Sequence, residues 1–242
     1  MSYQSVFQRY ELKYIITKEQ KAKMLDVLSQ YMSMDQYGRT TIRNIYLDTD
    51  NYRLIRKSIE KPQYKEKIRI RSYHKVKKEN HVFVEVKKKF DKVVYKRRLS
   101  LKEEEALDWI SGKIQCPKDN QIAKEIQYFL DYYEKVSPKV FLSYEREAYY
   151  MNDKSDLRIT FDENIRFREE EISLEKDIWG TSLLEEDKVL MEIKTGRAIP
   201  LWLCAFLSKE KMYKRSFSKY GTAYTQYILP RIRKERENGN NI

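Results

Sequence analysis

Several short segments of this chain alternate apolar residues with full charges, and such a segment fits only a sheet with one dry face and one strongly polar face. In Lys67-Ile68-Arg69-Ile70-Arg71 the cations point one way and the isoleucines the other. Glu11 and Lys13 alternate with Tyr10, Leu12 and Tyr14, and Glu85 and Lys87 with Val82, Val84 and Val86. Lys96 and Arg98 share a face, as do Tyr144 and Arg146. Arg158, Thr160 and Asp162 oppose Leu157, Ile159 and Phe161, while Glu192 and Lys194 alternate with Met191 and Ile193. One such run is most simply a solvated face. About seven of them imply a broad sheet that packs its apolar side on helices and gathers its charges on the other.

Helices are marked by their start signals. Thr17-x-x-Gln20 and Ser100-x-x-Glu103 read as capping boxes, the first leading into Met24, Leu25, Leu28 and Met32, the second into Ala106, Leu107 and Ile110 with Gly112 as the stop. Asp119 is placed to cap a third helix that ends before Pro138. Pro200 opens a fourth, Leu201 to about Met212, and a last one covers Tyr220 to Arg236 with an interruption at Pro230. The segments 64–73, 81–90 and 92–100 follow one another through short polar stretches, which predicts antiparallel pairing. No Pro-, Gly- or Ser-rich linker and no repeat divides the chain. The expectation is one α+β domain over residues 1–242, with a core from about 7 to 236 and a frayed tail.

Composition narrows the chemistry. The only cysteines are Cys116 and Cys204 and the only histidines His74 and His81, which disfavours a thiolate zinc site and Ser-His-Asp catalysis. With 6 glycines among 242 residues, neither a P-loop nor a GxGxxG cradle can be drawn. Any phosphate must therefore be held by side-chain cations. The longest apolar runs, such as Leu201–Leu207, fall short of the ~20 residues a membrane helix needs, and the N-terminus has no signal-peptide pattern. The chain reads as cytoplasmic.

The formal charge is +12. A curved or closed sheet whose charged faces turn inward would have a polar lumen rich in Lys and Arg, with few carboxylates among them. Two cations 4 Å apart repel by about 4 kcal/mol at an effective dielectric near 20, so the arrangement calls for a polyanion. Each charge-assisted hydrogen bond to a phosphate oxygen returns roughly 1.5–3 kcal/mol, and Arg can grip phosphate with two prongs. A carboxylate in the same lumen could share Mg²⁺ or Mn²⁺ with substrate phosphates.

The segments Glu11-Leu12-Lys13-Tyr14, Ile45-Tyr46-Leu47-Asp48-Thr49, Lys67-Ile68-Arg69-Ile70-Arg71, Val82-Phe83-Val84-Glu85-Val86-Lys87, Tyr144-Glu145-Arg146, Leu190-Met191-Glu192-Ile193-Lys194 and Phe217-Ser218-Lys219-Tyr220 occur in the order seen in VTC domains, which this chain resembles from about Phe7 to Tyr224. These are polyphosphate polymerase domains of the triphosphate tunnel metalloenzyme superfamily, related to the CYTH proteins. The resemblance implies an antiparallel β-barrel tunnel, cation-lined inside and surrounded by helices. It also implies transfer of the γ-phosphoryl group of ATP to a growing polyphosphate chain with release of ADP. Lys13, Arg69, Arg71, Lys87 and Arg146 would be phosphate ligands at the catalytic centre, with Tyr144 and Ser218 adding hydroxyls and Lys194 and Lys219 further cations for substrate. Glu192 would hold Mn²⁺ or Mg²⁺, with Glu11 and Glu85 as helpers. One departure is Ser216, where related polymerases often carry Lys; Arg215 stands beside it. Lys96, Arg98 and Arg158 fit the tunnel alternation without matching a motif.

Other readings of single residues stay open. Glu192 and Lys194 could form a plain ion pair, Lys13 could be solvated, Tyr144 could serve packing alone, and Ser218 could cap the last helix. A hydrolase of tripolyphosphate or a nucleoside triphosphate could use the same scaffold. A binding module for polyphosphate or nucleic acid is the remaining alternative, but most tyrosines occupy apolar phases, Tyr10 and Tyr14 included, so nucleic acid is not expected as a partner. VTC relatives often work beside membrane proteins that could carry product across a bilayer; oligomeric state is not encoded in any pattern found.

Overall fold

The computed structural model describes residues 6–7, 10–77, 79–91, 93–153 and 155–239. The N-terminal Met1–Gln4 and the tail residues Asn240 and Asn241 lie outside the described residues. An 11-stranded sheet, antiparallel at every pairing, forms the frame. In chain order the strands are β1 (Val6–Phe7), β2 (Tyr10–Thr17), β3 (Met32–Met34), β4 (Thr40–Asp48), β5 (Tyr64–Ser72) and β6 (His81–Phe90). They continue with β7 (Val93–Lys102), β8 (Ser137–Met151), β9 (Arg158–Arg168), β10 (Thr181–Ser182) and β11 (Lys188–Thr195). The spatial order is β1-β7-β6-β5-β4-β8-β9-β11-β2, with β3 on β8 and β10 on β9.

The ends of that order are neighbours in sequence. Phe7 ends β1 and Tyr10 begins β2, and the chain between them spans at most about 11 Å, roughly two strand spacings. The sheet must therefore curl until its two edges nearly meet. A contact across the curl agrees: Lys87 of β6 lies 3.7 Å from Glu11 of β2. Among the described residues no strand pairing joins β1 to β2, so the expected barrel is a curled sheet with one unbonded seam.

Helices α1 (Lys18–Leu28) and α5 (Leu201–Lys209) cover the outer face of β2, β9 and β11, burying Met24, Leu28, Leu203 and Leu207 against Ile16, Ile159, Val189 and Ile193. Helices α3 (Glu103–Ile110) and α4 (Gln121–Tyr133) cover β4 to β7, where Trp109, Ile126 and Phe129 meet Ile68, Ile70, Val84 and Leu99. The inner phase is split along its length. On β11 it reads Leu190, Glu192, Lys194; on β2 Ile15, Lys13, Glu11; on β8 Leu142, Tyr144, Arg146. The apolar half receives α6 (Lys219–Ala223) and the π-helical turn Tyr224–Ile228, with Phe217, Tyr220, Tyr224 and Ile228 packed on Leu142, Tyr144 and Leu190. The charged half is left as lumen.

Local chemistry sets the helix ends, and the first helix stops at Leu28 short of the expected Met32, which opens β3 instead. The Thr17 box forms as read, Thr17 Oγ1 accepting from Gln20 N and Gln20 Oε1 from Thr17 N, both at 3.0 Å. The Ser100 box does not, because β7 stays paired with β6 as far as Lys102 and holds Ser100 in the ladder. Lys102 is the N-cap instead, its N–H donating to Glu105. Asn120, not Asp119, caps α4 by accepting from Ala123 N at 2.9 Å. The fourth helix stops at Lys209, and Lys211 turns left-handed (φ 52°). The last helix does not break at Pro230: the π turn lies just before it, where the missing proline N–H leaves a gap in the i→i−4 ladder, and α7 (Leu229–Gly239) runs on through Glu237 and Asn238.

Helix α2 (Arg53–Ile59) has no sequence signal at its own start. Its cap comes from the buried Asp48 at the end of β4, which accepts from Leu54 N at 2.8 Å, Ile55 N at 3.0 Å and the Tyr220 hydroxyl at 3.0 Å. Asp48 thus ties β4, α2 and α6 together. Asp48→Ala strands those donors in the interior, at a cost of about 2 kcal/mol or more. Urea unfolding should show a lower midpoint with unchanged slope; an unchanged midpoint would remove this role.

Candidate active site

Two sets of buried carboxylates organise the lumen. In the first, pairing aligns Arg69 of β5, Glu85 of β6 and Arg98 of β7 side by side. Glu85 is 1% exposed and accepts from Arg69 Nη2 at 2.7 Å and Arg98 Nε at 2.7 Å, with Lys96 Nζ at 2.7 Å and Arg71 Nε at 3.8 Å. Burial alone would raise its pKa, but Arg69, Arg71, Lys96 and Arg98 outweigh it and hold the carboxyl well below the usual range. These arginines also have neutral acceptors. Arg69 donates to the Tyr46 hydroxyl at 3.1 Å, Arg71 to Asn44 Oδ1 at 2.9 Å and the Tyr144 hydroxyl at 3.0 Å, and Arg98 to the Tyr73 hydroxyl at 2.7 Å.

The second set sits on the facing strands. Pairing puts Lys13 of β2 opposite Glu192 of β11, Thr160 of β9 opposite Glu192, and Arg146 of β8 opposite Asp162 of β9. Around Glu192 stand Lys194 at 3.0 Å, Lys13 and Arg146 at 3.4 Å and Lys219 at 3.7 Å. The fully buried Asp162 accepts from Arg146 Nε and Nη2 at 2.6 Å each and from Lys219 Nζ at 2.5 Å. Both cations lie against the Tyr144 ring, Arg146 at 5.1 Å and Lys219 at 4.4 Å from its centre. Glu11 marks the rim, 3.7 Å from both Lys87 and Lys194.

The residues to which the sequence points are brought together. Lys13, Arg69, Arg71, Arg146, Lys194 and Lys219 share the lumen with Glu192, and Lys87 stands at its more open edge. Tyr144 is buried, its ring packed and its hydroxyl used by Arg71, so packing and polar contact coexist. Ser218 does cap α6, accepting from Gly221 N at 3.2 Å, and it also accepts from Lys67 Nζ at 3.3 Å. Lys13 is not solvated: its Nζ donates to the Phe217 carbonyl at 2.9 Å. Tyr10, expected in the apolar phase, is 60% exposed. Ser216 and Arg215 both face solvent, so neither supplies the lumen cation that relatives often carry there. Arg158 lies beside Lys194 in register and stacks on Tyr150 at 4.8 Å.

Glu85, named above as a helper to Glu192, has Arg69, Lys96 and Arg98 as its nearest partners. Sequence patterning does not mark Lys67 as a ligand, nor Tyr46, Tyr73 and Asp162. Alternation alone puts Lys67 and Asp162 on the right face. Asp162's grip on Arg146 follows from the β8–β9 register, which no local pattern reveals.

A divalent ion fits here only in company. Among the described residues no group of three or more His, Cys, Asp or Glu side chains could hold one alone. Glu192 is a hard oxygen donor, however, and the buried Thr160 hydroxyl beside it has no hydrogen-bond partner. That set suits Mg²⁺ or Mn²⁺ shared with substrate phosphates, the usual pattern for these ions.

A family model described as VTC domain matches residues 8–228. The chain belongs to the VTC domain family. Solved structures share the fold at low identity. A candidate adenylate cyclase from Bacillus halodurans is 13% identical with TM-score 0.54, over 88% of this chain and 96% of that one. A Hippeastrum protein, described as a candidate adenylyl cyclase with a dominant triphosphatase activity, is 15% identical with TM-score 0.54, over 90% of this chain and 93% of that one. No curated protein matches the sequence. The VTC domain described here therefore has the tunnel fold, a curled antiparallel sheet with flanking helices.

Two lumen lysines give it a pH signature. Burial lowers Lys96 to about 7 against the opposing pull of Glu85, and burial lowers Lys67 to about 8. Each is charged below its own value and neutral above it, and an anion favours the charged form. Affinity for tripolyphosphate should fall as pH rises from about 7 to 9, with protons taken up on binding near pH 8. The ligand's own ionisation over that range makes it only more negative, so it cannot account for a loss of affinity. Calorimetry in two buffers of different ionisation heat reads the uptake; flat affinity with no uptake contradicts the assignment.

Proposed function

We propose that this VTC domain is a polyphosphate polymerase, transferring the γ-phosphoryl group of ATP to the end of an inorganic polyphosphate chain and releasing ADP. The reading is carried by one observation: cations from β2, β5, β6, β7, β8, β11 and α6 converge on a single lumen in which carboxylates are the minority. Membership of the VTC family supports it.

Phosphoryl transfer spreads charge over the equatorial oxygens of the moving group and demands positioning and electrostatic stabilisation rather than a protein nucleophile. Arg69 and Arg71 are fixed by Tyr46, Asn44 and Tyr144, so their remaining donors are already oriented when phosphate arrives. Lys13, Lys194, Lys219 and Arg146 face them from the other wall and would neutralise the chain across the lumen. Lys87 at the rim would meet the phosphates that extend outward, and Lys67 with Ser218 would contact those at the α6 end. Glu192, with Thr160 beside it, would hold Mn²⁺ or Mg²⁺, which would supply neutralisation of phosphate charge. Among the described residues no helix is long and apolar enough to cross a membrane.

Pure protein incubated with ATP and Mn²⁺ should yield ADP and long-chain polyphosphate. Free phosphate without chains would assign a triphosphatase instead, and binding without turnover a sensor. Glu192→Gln should lower metal-dependent turnover by about a hundredfold or more while thermal unfolding stays cooperative. Unchanged turnover in that variant would remove Glu192 from metal binding. Arg69→Ala should raise the tripolyphosphate Kd by roughly ten- to a hundredfold, through loss of charge-assisted hydrogen bonds.

A further inference from the structure

Arg146 and Lys219 differ from the lumen arginines on β5 and β7 in what holds them. Arg69, Arg71 and Arg98 each have a neutral oxygen as well as Glu85 to bond to. The hydrogen bonds of Arg146 and Lys219 go to carboxylates alone, and the short ones go to Asp162. Asp162 takes Arg146 side-on through Nε and Nη2, an arrangement that leaves Nη1 with no hydrogen bond among the described residues. It takes one proton of Lys219 and leaves two. Asp162 is itself 0% exposed, beneath the cations it holds.

We propose that Asp162 is a positioning residue: it fixes Arg146 and Lys219 so that their unused donors point at one phosphoryl group of the bound chain. The proposal rests on the triphosphate-binding reading above. It makes a claim about sign. Taking a negative charge out of an anion site should tighten anion binding by Coulomb's law alone. If Asp162 works by positioning, its removal weakens binding even though the site becomes more positive. The side-on geometry also explains why Lys would not replace Arg at 146, since an ammonium has no second prong to align.

The test is calorimetric titration of the whole chain with tripolyphosphate in EDTA at fixed salt, which keeps divalent metal out of the result. Asp162→Asn should raise Kd at least tenfold. In an Arg146→Ala/Lys219→Ala background the same change should lower Kd, because only the Coulomb effect then remains. Equal or tighter binding by Asp162→Asn in the otherwise native chain overturns the proposal and leaves the triphosphate reading standing. Absence of binding by the native chain overturns both. Should circular dichroism show that Asp162→Asn does not fold, Arg146→Lys carries the test: the positive charge is kept while the two-pronged grip on Asp162 is broken, so Kd should again rise about tenfold, and a native Kd would refute positioning.

Discussion

Like-charge crowding is the constraint around which this molecule is arranged. Cations from neighbouring strands crowd around the same carboxylates, and without those acids their mutual repulsion would splay the sheet. Glu85, Asp162 and Glu192 answer it from below, each nearly or wholly buried and each holding its charge because its neighbours outweigh the desolvation that would neutralise it. Breaking such a set by removing one member leaves charges stranded, so the acids and bases stand or fall together.

The fold converts that constraint into direction. The outer faces of the sheet are closed by α1, α3, α4 and α5, and the apolar half of the inner face is closed by α6 and the π turn. What remains uncovered is the half where Leu190 gives way to Glu192 and Ile15 to Lys13. The same β-strands thus serve as core at one end and as binding wall at the other. Asp48, reaching from β4 to α2 and Tyr220, sets the depth at which the helix sits and hence where the lumen begins.

Much of this is legible in the residues. Alternation names the strands, and it places Lys13, Arg69, Arg71, Arg146 and Glu192 on the inner face because a period of two allows no other reading once the opposite positions are apolar. Long-range partners are not legible. The grip of Asp162 on Arg146 depends on β8–β9 register, and the cap of α2 is shared between Thr49, which accepts from Arg53 N, and Asp48 of the preceding strand, which accepts from Leu54 N and Ile55 N. Ser100 misleads for a related reason: its spacing to Glu103 suits a capping box, but strand pairing as far as Lys102 competes for the same backbone and wins.

The seam between β1 and β2 has a consequence for how the wall is held. Among the described residues no ladder joins β1 to β2, and the free edge of β2 is met instead by the chain at 214–215, where Tyr14 bridges Lys214 and the Arg215 N–H donates to the Lys13 carbonyl at 2.7 Å. That segment runs on into α6, so the strand at the end of the sheet and the helix that fills the apolar half are fastened to one another by the same few residues.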